Sequence, residues 1–161
     1  MLDQHPVYLI RFTQTLTDPD MPTPRYHTTL YVSPVHQTSP QPGYLHEVTG
    51  DITSPKGMHY QKRPTASHPR TAAPDTFFSE EWLGYTDVRG YPESWDRVLQ
   101  ALPAPPQQKA FNRESMRTEP VKSLVPLRFY ESGEARGELW KCTEWTFQLA
   151  VPALRREGLI R

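Results

Sequence analysis

The chain has a single cysteine, no excess charge of either sign and no long hydrophobic run. Each of these features excludes some classes of structure or partner. Cys142 alone cannot form an intramolecular disulfide. Residues 1–12 lack the basic segment, apolar stretch and cleavage site of a secretory signal, so we expect a cytoplasmic protein. Because no apolar run approaches the ~20 residues that span a bilayer, the sequence predicts no transmembrane anchor.

The charge balance and the glycine pattern also exclude classes of partner. Lys+Arg and Asp+Glu each total 18, and no Lys/Arg-rich block stands out. A nucleic-acid surface needs clustered cations, so we predict no nucleic-acid partner. The glycines form neither GxGxxG nor GxxxxGK[ST], and no HxxxH or CxxC spacing favours zinc. We therefore expect no cofactor and no metal; the sequence carries no signal of oligomeric state.

The order of strand-like and helix-like segments predicts an α+β fold. The length of 161 residues suits a single domain, 1–161, and many of the 18 prolines separate the ordered segments. Runs rich in aromatic and β-branched residues predict a small antiparallel sheet, with one further edge strand near the C-terminal end. These runs are residues 7–13, 26–32, 43–49, 57–63 and 123–130.

Two helices are expected to pack on this sheet. Trp95, Val98, Leu99 and Leu102 recur at helical spacing before a proline cluster. Residues 140–158 form the second helix, which either kinks or ends near its internal proline, and Gly158 is a natural terminating residue. Residues 64–74 are predicted to form a surface loop.

Cys142 is expected to lie at the start of the last helix. Unpaired backbone N–H groups and the helix dipole lower the pKa of a thiol there, and Lys141 supplies a neighbouring cation. The same N–H groups can hold the oxyanion of a tetrahedral intermediate. The alternative is that Cys142 is a small buried apolar residue, as free cysteines commonly are.

Two histidines fall in neighbouring strands of the predicted hairpin. Pairing Val32 with Gly43 places His27 and His46 on one face as diagonal neighbours, whereas a slip of one residue separates them onto opposite faces. If they are adjacent, one imidazole can accept the thiol proton while the other fixes its tautomer. Otherwise each is a half-buried sheet residue. The remaining histidines, His5, His36, His59 and His68, are expected to be structural or exposed.

Three short stretches resemble a known family. They read HTTLYV from His27, GYLH ending at His46, and KCTEWTF around Cys142. This order is similar to the circularly permuted NlpC/P60-like branch of the papain-like superfamily, especially the lecithin:retinol acyltransferase and H-Ras-like suppressor group. That group has a strand opening HW-x-hydrophobic-Y-V, a next strand ending in histidine, and a later helix opening NCEHF. The resemblance implies a permuted papain-like fold, with Cys142 as nucleophile, His27 as general base and His46 as polar third member.

The resemblance implies a soluble cysteine-dependent hydrolase or acyltransferase that forms a thioester acyl-enzyme from a small-molecule or peptide ester, thioester or amide. Glu144 matches the glutamate of NCEHF, while Lys141 and Trp145 replace its asparagine and histidine. These three residues are candidate pocket residues. The two replacements favour an alternative, a non-catalytic small-molecule or peptide binding module on the same fold.

Overall fold

Two antiparallel sheets organise the chain in a computed structural model, which describes residues 3–35 and 42–161. The strands of the larger sheet are β1 (Gln4–Thr13), β2 (Tyr26–Val32), β3 (Gly43–Gly50), β4 (Met58–Thr65) and β5 (Phe77–Asp87). Their order across the sheet is β4-β3-β2-β1-β5. The smaller sheet has the order β6-β7-β8, formed by β6 (Lys109–Asn112), β7 (Arg117–Leu124) and β8 (Leu127–Phe129). The expected α+β architecture with antiparallel sheets is confirmed.

The helices are few. They are α1 (Pro69–Ala72), α2 (Glu93–Ala101), α3 (Cys142–Glu144), a π-helical segment (Trp145–Ala150) and α4 (Val151–Arg156). The last three follow one another directly and form one C-terminal helix. Pro152 lies in the first turn of α4, where the wider π turn ends and its missing N–H is tolerated. Gly158 has a φ of +70° just past the helix end, as expected of a terminating glycine.

The larger sheet has two differently covered faces. Val7 and Leu9 of β1 point to one face, where they pack with α2 and the C-terminal helix in the main core. Ile10 and Phe12 point to the other, which carries a smaller cluster beside α1. We call these the helix-covered face and the opposite face. Alternation along each strand assigns the remaining residues to one or the other.

Several predicted elements need correction. Residues 77–87 form an eleven-residue strand that the sequence did not suggest, because Glu80 and Glu81 interrupt its apolar pattern at an exposed sheet edge. The single strand predicted at 123–130 is two strands joined by a turn at Val125 and Pro126. The predicted loop 64–74 contains the end of β4 and α1. Within residues 3–35 and 42–161, no helix is long and apolar enough to cross a membrane.

Candidate active site

The only thiol of the chain lies where the C-terminal helix begins, against the first residues of β2. Cys142 is 4% exposed, and its Sγ is 3.9 Å from the carbonyl oxygen of Tyr26. Thr143 fixes this contact, because its hydroxyl lies 3.0 Å from that of Thr28 and 3.3 Å from the Tyr26 carbonyl. The helix start and the strand start are therefore held together on both sides of the sulfur.

His27 stands between this thiol and a buried carboxylate. Its Nε2 lies 2.7 Å from Oε2 of Glu47. The imidazole is also close enough to Cys142 for each of the two groups to shift the pKa of the other. A nucleophile, a base and an orienting acid thus lie in sequence, which is the arrangement that histidine-assisted attack requires.

Glu47 is itself held firmly, although it is a charged residue in the interior of the sheet. It is 2% exposed. Its Oε1 accepts hydrogen bonds from Nε of Arg63 at 3.0 Å and from Nε2 of Gln61 at 2.9 Å, both on β4. Burial raises the pKa of Glu47, but the hydrogen bonds from His27 and Arg63 outweigh it and lower the pKa to about 2. Glu47 is ionised at neutral pH.

The surroundings favour a charged thiolate and imidazolium pair. Burial raises the pKa of the Cys142 thiol, but the hydrogen bond and charge of His27 outweigh it, so the pKa lies below its ordinary value. The backbone N–H of Thr28 and the charge of Arg25 act in the same direction. Burial lowers the pKa of His27, whereas its contacts with Cys142 and Glu47 raise it to about 9.

A second group of ion pairs surrounds the helix start. Arg25 donates to both carboxylate oxygens of Glu144, at 2.8 and 2.9 Å. Glu144 also accepts the backbone N–H of Lys141 at 2.9 Å, which caps the helix. Lys141 Nζ lies 2.8 Å from the carboxylate of Asp18. Glu144 and Lys141 thus fix the geometry around the thiol.

His46 is not part of the candidate triad, which corrects the sequence expectation. In the observed register Leu30 pairs with His46, so His46 lies on the helix-covered face while His27 lies on the opposite face. His46 is fully buried, and its ring nitrogens bond to the hydroxyls of Tyr60 at 2.7 Å and Tyr91 at 2.8 Å. Burial lowers the pKa of His46 to about 3, which keeps it neutral.

Trp145 also differs from the expectation. It is fully buried in the main core and stacks on Tyr60, so it does not line a pocket. Among the other histidines, His5 is buried, His59 is exposed and His68 lies 2.8 Å from Glu80. His36 lies outside the described residues. In the part of the chain that the structure describes, no cluster of three or more His, Cys, Asp or Glu side chains is placed to hold a metal ion.

Two cavities flank the thiol and imidazole pair. The larger, about 330 Å³, includes His27 and extends over the opposite face towards α1. The smaller, about 70 Å³, includes Cys142, Arg25, Lys141 and Asp18. Of the pair, His27 lines only the larger cavity and Cys142 only the smaller one.

Comparison with known proteins places the chain in a family. A model described as a family of unknown function, DUF6540, matches residues 7–161. The chain belongs to the DUF6540 family. The match covers both strands of the candidate site and the C-terminal helix of this DUF6540 member. No curated protein matches the chain, and no solved structure matches it.

Sequence reasoning missed Glu47 as a member of this constellation. The sequence does contain an indication of its role, because Glu47 lies within the β-prone run GYLHEVT. Burying a glutamate there is strongly unfavourable unless its charge is paired. In a register with an even index sum, Glu47 rather than His46 shares the face of His27. The choice between the two neighbouring residues depends on that register.

Proposed function

We propose that this protein is a cysteine-dependent acyl-transfer enzyme, a hydrolase or acyltransferase that acts on an ester, thioester or amide carbonyl. One observation carries the proposal. His27 lies between the Cys142 thiol and the buried carboxylate of Glu47, which accepts from Nε2 at 2.7 Å. In this assignment Cys142 is the nucleophile, His27 the base and Glu47 the orienting acid.

The first half-reaction forms a thioester. His27 holds the proton of the thiol, and the Cys142 thiolate attacks the carbonyl carbon, so that the carbonyl electron pair moves to oxygen. Backbone N–H groups at the helix start lack intrahelical partners, and that of Cys142 is available to the oxyanion. When the tetrahedral intermediate collapses, the leaving group departs with the bonding pair and takes the proton from Nδ1 of His27.

The second half-reaction releases the acyl group. Neutral His27 removes a proton from water or from the hydroxyl or amine of an acceptor. The deprotonated oxygen or nitrogen attacks the thioester carbonyl. The C–S bond breaks, and the thiolate of Cys142 is restored beside the imidazolium. Glu47 stays ionised throughout and stabilises the positive ring, as the acid of a Ser-His-Asp triad does.

We also propose that the fold is the circularly permuted, NlpC/P60-like form of the papain-like architecture. The chain order supports this, since the histidine strand comes first and the cysteine helix comes last. The position of Cys142 at a helix start against the histidine strand supports it as well. The third member differs from the motif, because Glu47, one residue beyond His46, occupies that role.

Iodoacetamide alkylation of Cys142 as a function of pH tests the proposed function. We expect rapid alkylation with an apparent pKa well below that of an ordinary thiol, about 8.5, and a return towards that value in His27→Ala. His68→Ala is the matched control, because that histidine pairs with Glu80 at a similar distance and lies outside the site. Incubation with activated esters and thioesters is expected to give an acyl adduct on Cys142 by intact mass.

Slow alkylation of Cys142 with the pKa of an ordinary thiol, together with no acyl adduct from any ester or thioester, would contradict the proposal that this protein is an enzyme. That result would favour the non-catalytic binding module. If His27→Ala does not fold, His27→Gln serves as a second variant, because it keeps a polar side chain of similar size at this position.

A further inference from the structure

We infer that the larger cavity is the acyl pocket, and that it selects an apolar acyl chain of medium length. This inference rests on the proposed function, because it assigns the cavity to the group that becomes bonded to Cys142. The cavity includes His27, while Cys142 lines the smaller cavity, so an acyl chain with its carbonyl at Sγ extends past His27 into the larger one.

The chemistry of the cavity wall supports an apolar occupant. Phe12 and Leu45 form its floor on the opposite face of the sheet, and Pro69, Ala72 and Ala73 of α1 and its end form one side. Such a mixture of apolar walls with a few polar groups is typical of small-molecule sites. The apolar walls bind a hydrocarbon chain by removing it from water.

His27, the charged group of the cavity that faces the thiol, is not free to pair with an ionised acyl group. His27 and Arg63 are the charged residues among those that line it. Both are bonded to the same carboxylate, that of Glu47, and His27 also faces the thiol. The charge of His27 is therefore already compensated, whereas Arg63 is bonded through Nε alone and its side chain is 49% exposed.

The volumes of the two cavities determine which of them can hold the acyl chain and how long that chain can be. A volume of about 330 Å³ has room for on the order of ten non-hydrogen atoms. The cavity on the side of Cys142 has about 70 Å³, and its wall carries Arg25, Asp18 and Lys141. That space suits water or a small polar acceptor, whereas a hexanoyl or octanoyl chain fits only the larger one.

A chain-length series tests the inference. Rates of Cys142 acylation are measured by intact mass with nitrophenyl acetate, butyrate, hexanoate and octanoate. Because each buried methylene is worth about fourfold, we expect the hexanoate to react at least about tenfold faster than the acetate. Ala72→Trp fills the cavity and is expected to abolish this gain. Thr71→Trp, at a neighbouring exposed position of the same helix that does not line the cavity, is the matched control and should keep the gain together with the acetate and iodoacetamide rates.

A binding measurement separates this inference from the proposed function. Hexanamide is titrated into Cys142→Ser, with and without Ala72→Trp, and binding is followed by two-dimensional nuclear magnetic resonance. If hexanamide binds and Ala72→Trp abolishes the binding, the acyl pocket is supported even when no acylation occurs. The absence of acylation would count against the proposed function alone. Equal acylation rates for acetate and hexanoate, or a chain-length gain that survives Ala72→Trp, would overturn the acyl pocket while leaving the reaction intact.

Discussion

Replacing Glu47 with glutamine is the sharpest perturbation of the candidate triad, because it removes the charge and keeps the shape. The contacts of Glu47 lower its pKa from 4.5 to about 2, and one pKa unit is worth about 1.4 kcal/mol. The carboxylate is therefore favoured by about 3 kcal/mol, shared among His27, Gln61 and Arg63. We expect Glu47→Gln to lower the free energy of unfolding at neutral pH by about 2–3 kcal/mol.

The sign of the pH dependence follows from the lowered pKa of Glu47. Its contribution to stability is present above its unfolded pKa of 4.5 and is lost as the pH falls through about 2. Urea unfolding at neutral pH and at about pH 3 should therefore show a smaller difference between wild type and Glu47→Gln in acid.

The same variant should move the alkylation profile of the thiol. Without the carboxylate the pKa of His27 falls, the thiolate loses part of its charged partner, and the profile of Cys142 shifts to higher pH. A shift of one unit lowers the iodoacetamide rate about tenfold below the pKa. Glu80→Gln is the control, since it removes a similar histidine contact, that of His68, outside the site. An unchanged profile in a folded Glu47→Gln protein would refute the assignment of Glu47 as orienting acid.

Two further predictions concern the histidines. The raised pKa of His27, about 9, means that thioester formation from a substrate whose leaving group needs a proton should slow as the pH rises above about 9, because the ring then carries no proton for it. Iodoacetamide alkylation of Cys142 should not slow with it, and a parallel fall would contradict the role of His27. His46→Ala should lower the free energy of unfolding by about 3 kcal/mol, because it opens a cavity in the core and removes the partner of the Tyr91 hydroxyl, while Tyr60 keeps its hydrogen bond to Asp96. The pH profile of alkylation should not move, and a shift would place His46 back in the site.

The parts of the site that depend on local sequence could be predicted. The β-prone run that opens with His27 forms β2, and the start of the last helix falls at Cys142, as expected. Both are decided within a few residues, by side-chain periodicity and by where the helix begins. The α+β class follows from the same local patterns, because several short β-prone runs surround one clear amphipathic helix, α2.

The third member of the site could not be predicted in this way. Whether His46 or Glu47 faces His27 depends on a register that differs by a single residue, and neither strand's composition decides it. Long-range packing does, since His46 reaches Tyr91 and α2 on one face while Glu47 reaches Arg63 on the other. The strand β5 was missed for a related reason, because its pairing with β1 compensates for an unfavourable local pattern.

The position of β4 at the edge of the sheet has a consequence for how long the site stays assembled. Arg63 and Gln61, which hold the carboxylate of Glu47, both belong to this strand, and among the described residues β3 is its only neighbour in the sheet. Edge strands open by local fluctuation more readily than interior ones. Each opening of β4 releases Glu47 from its two β4 donors while the rest of the core stays folded, so amide exchange in β4 should report the competence of the site.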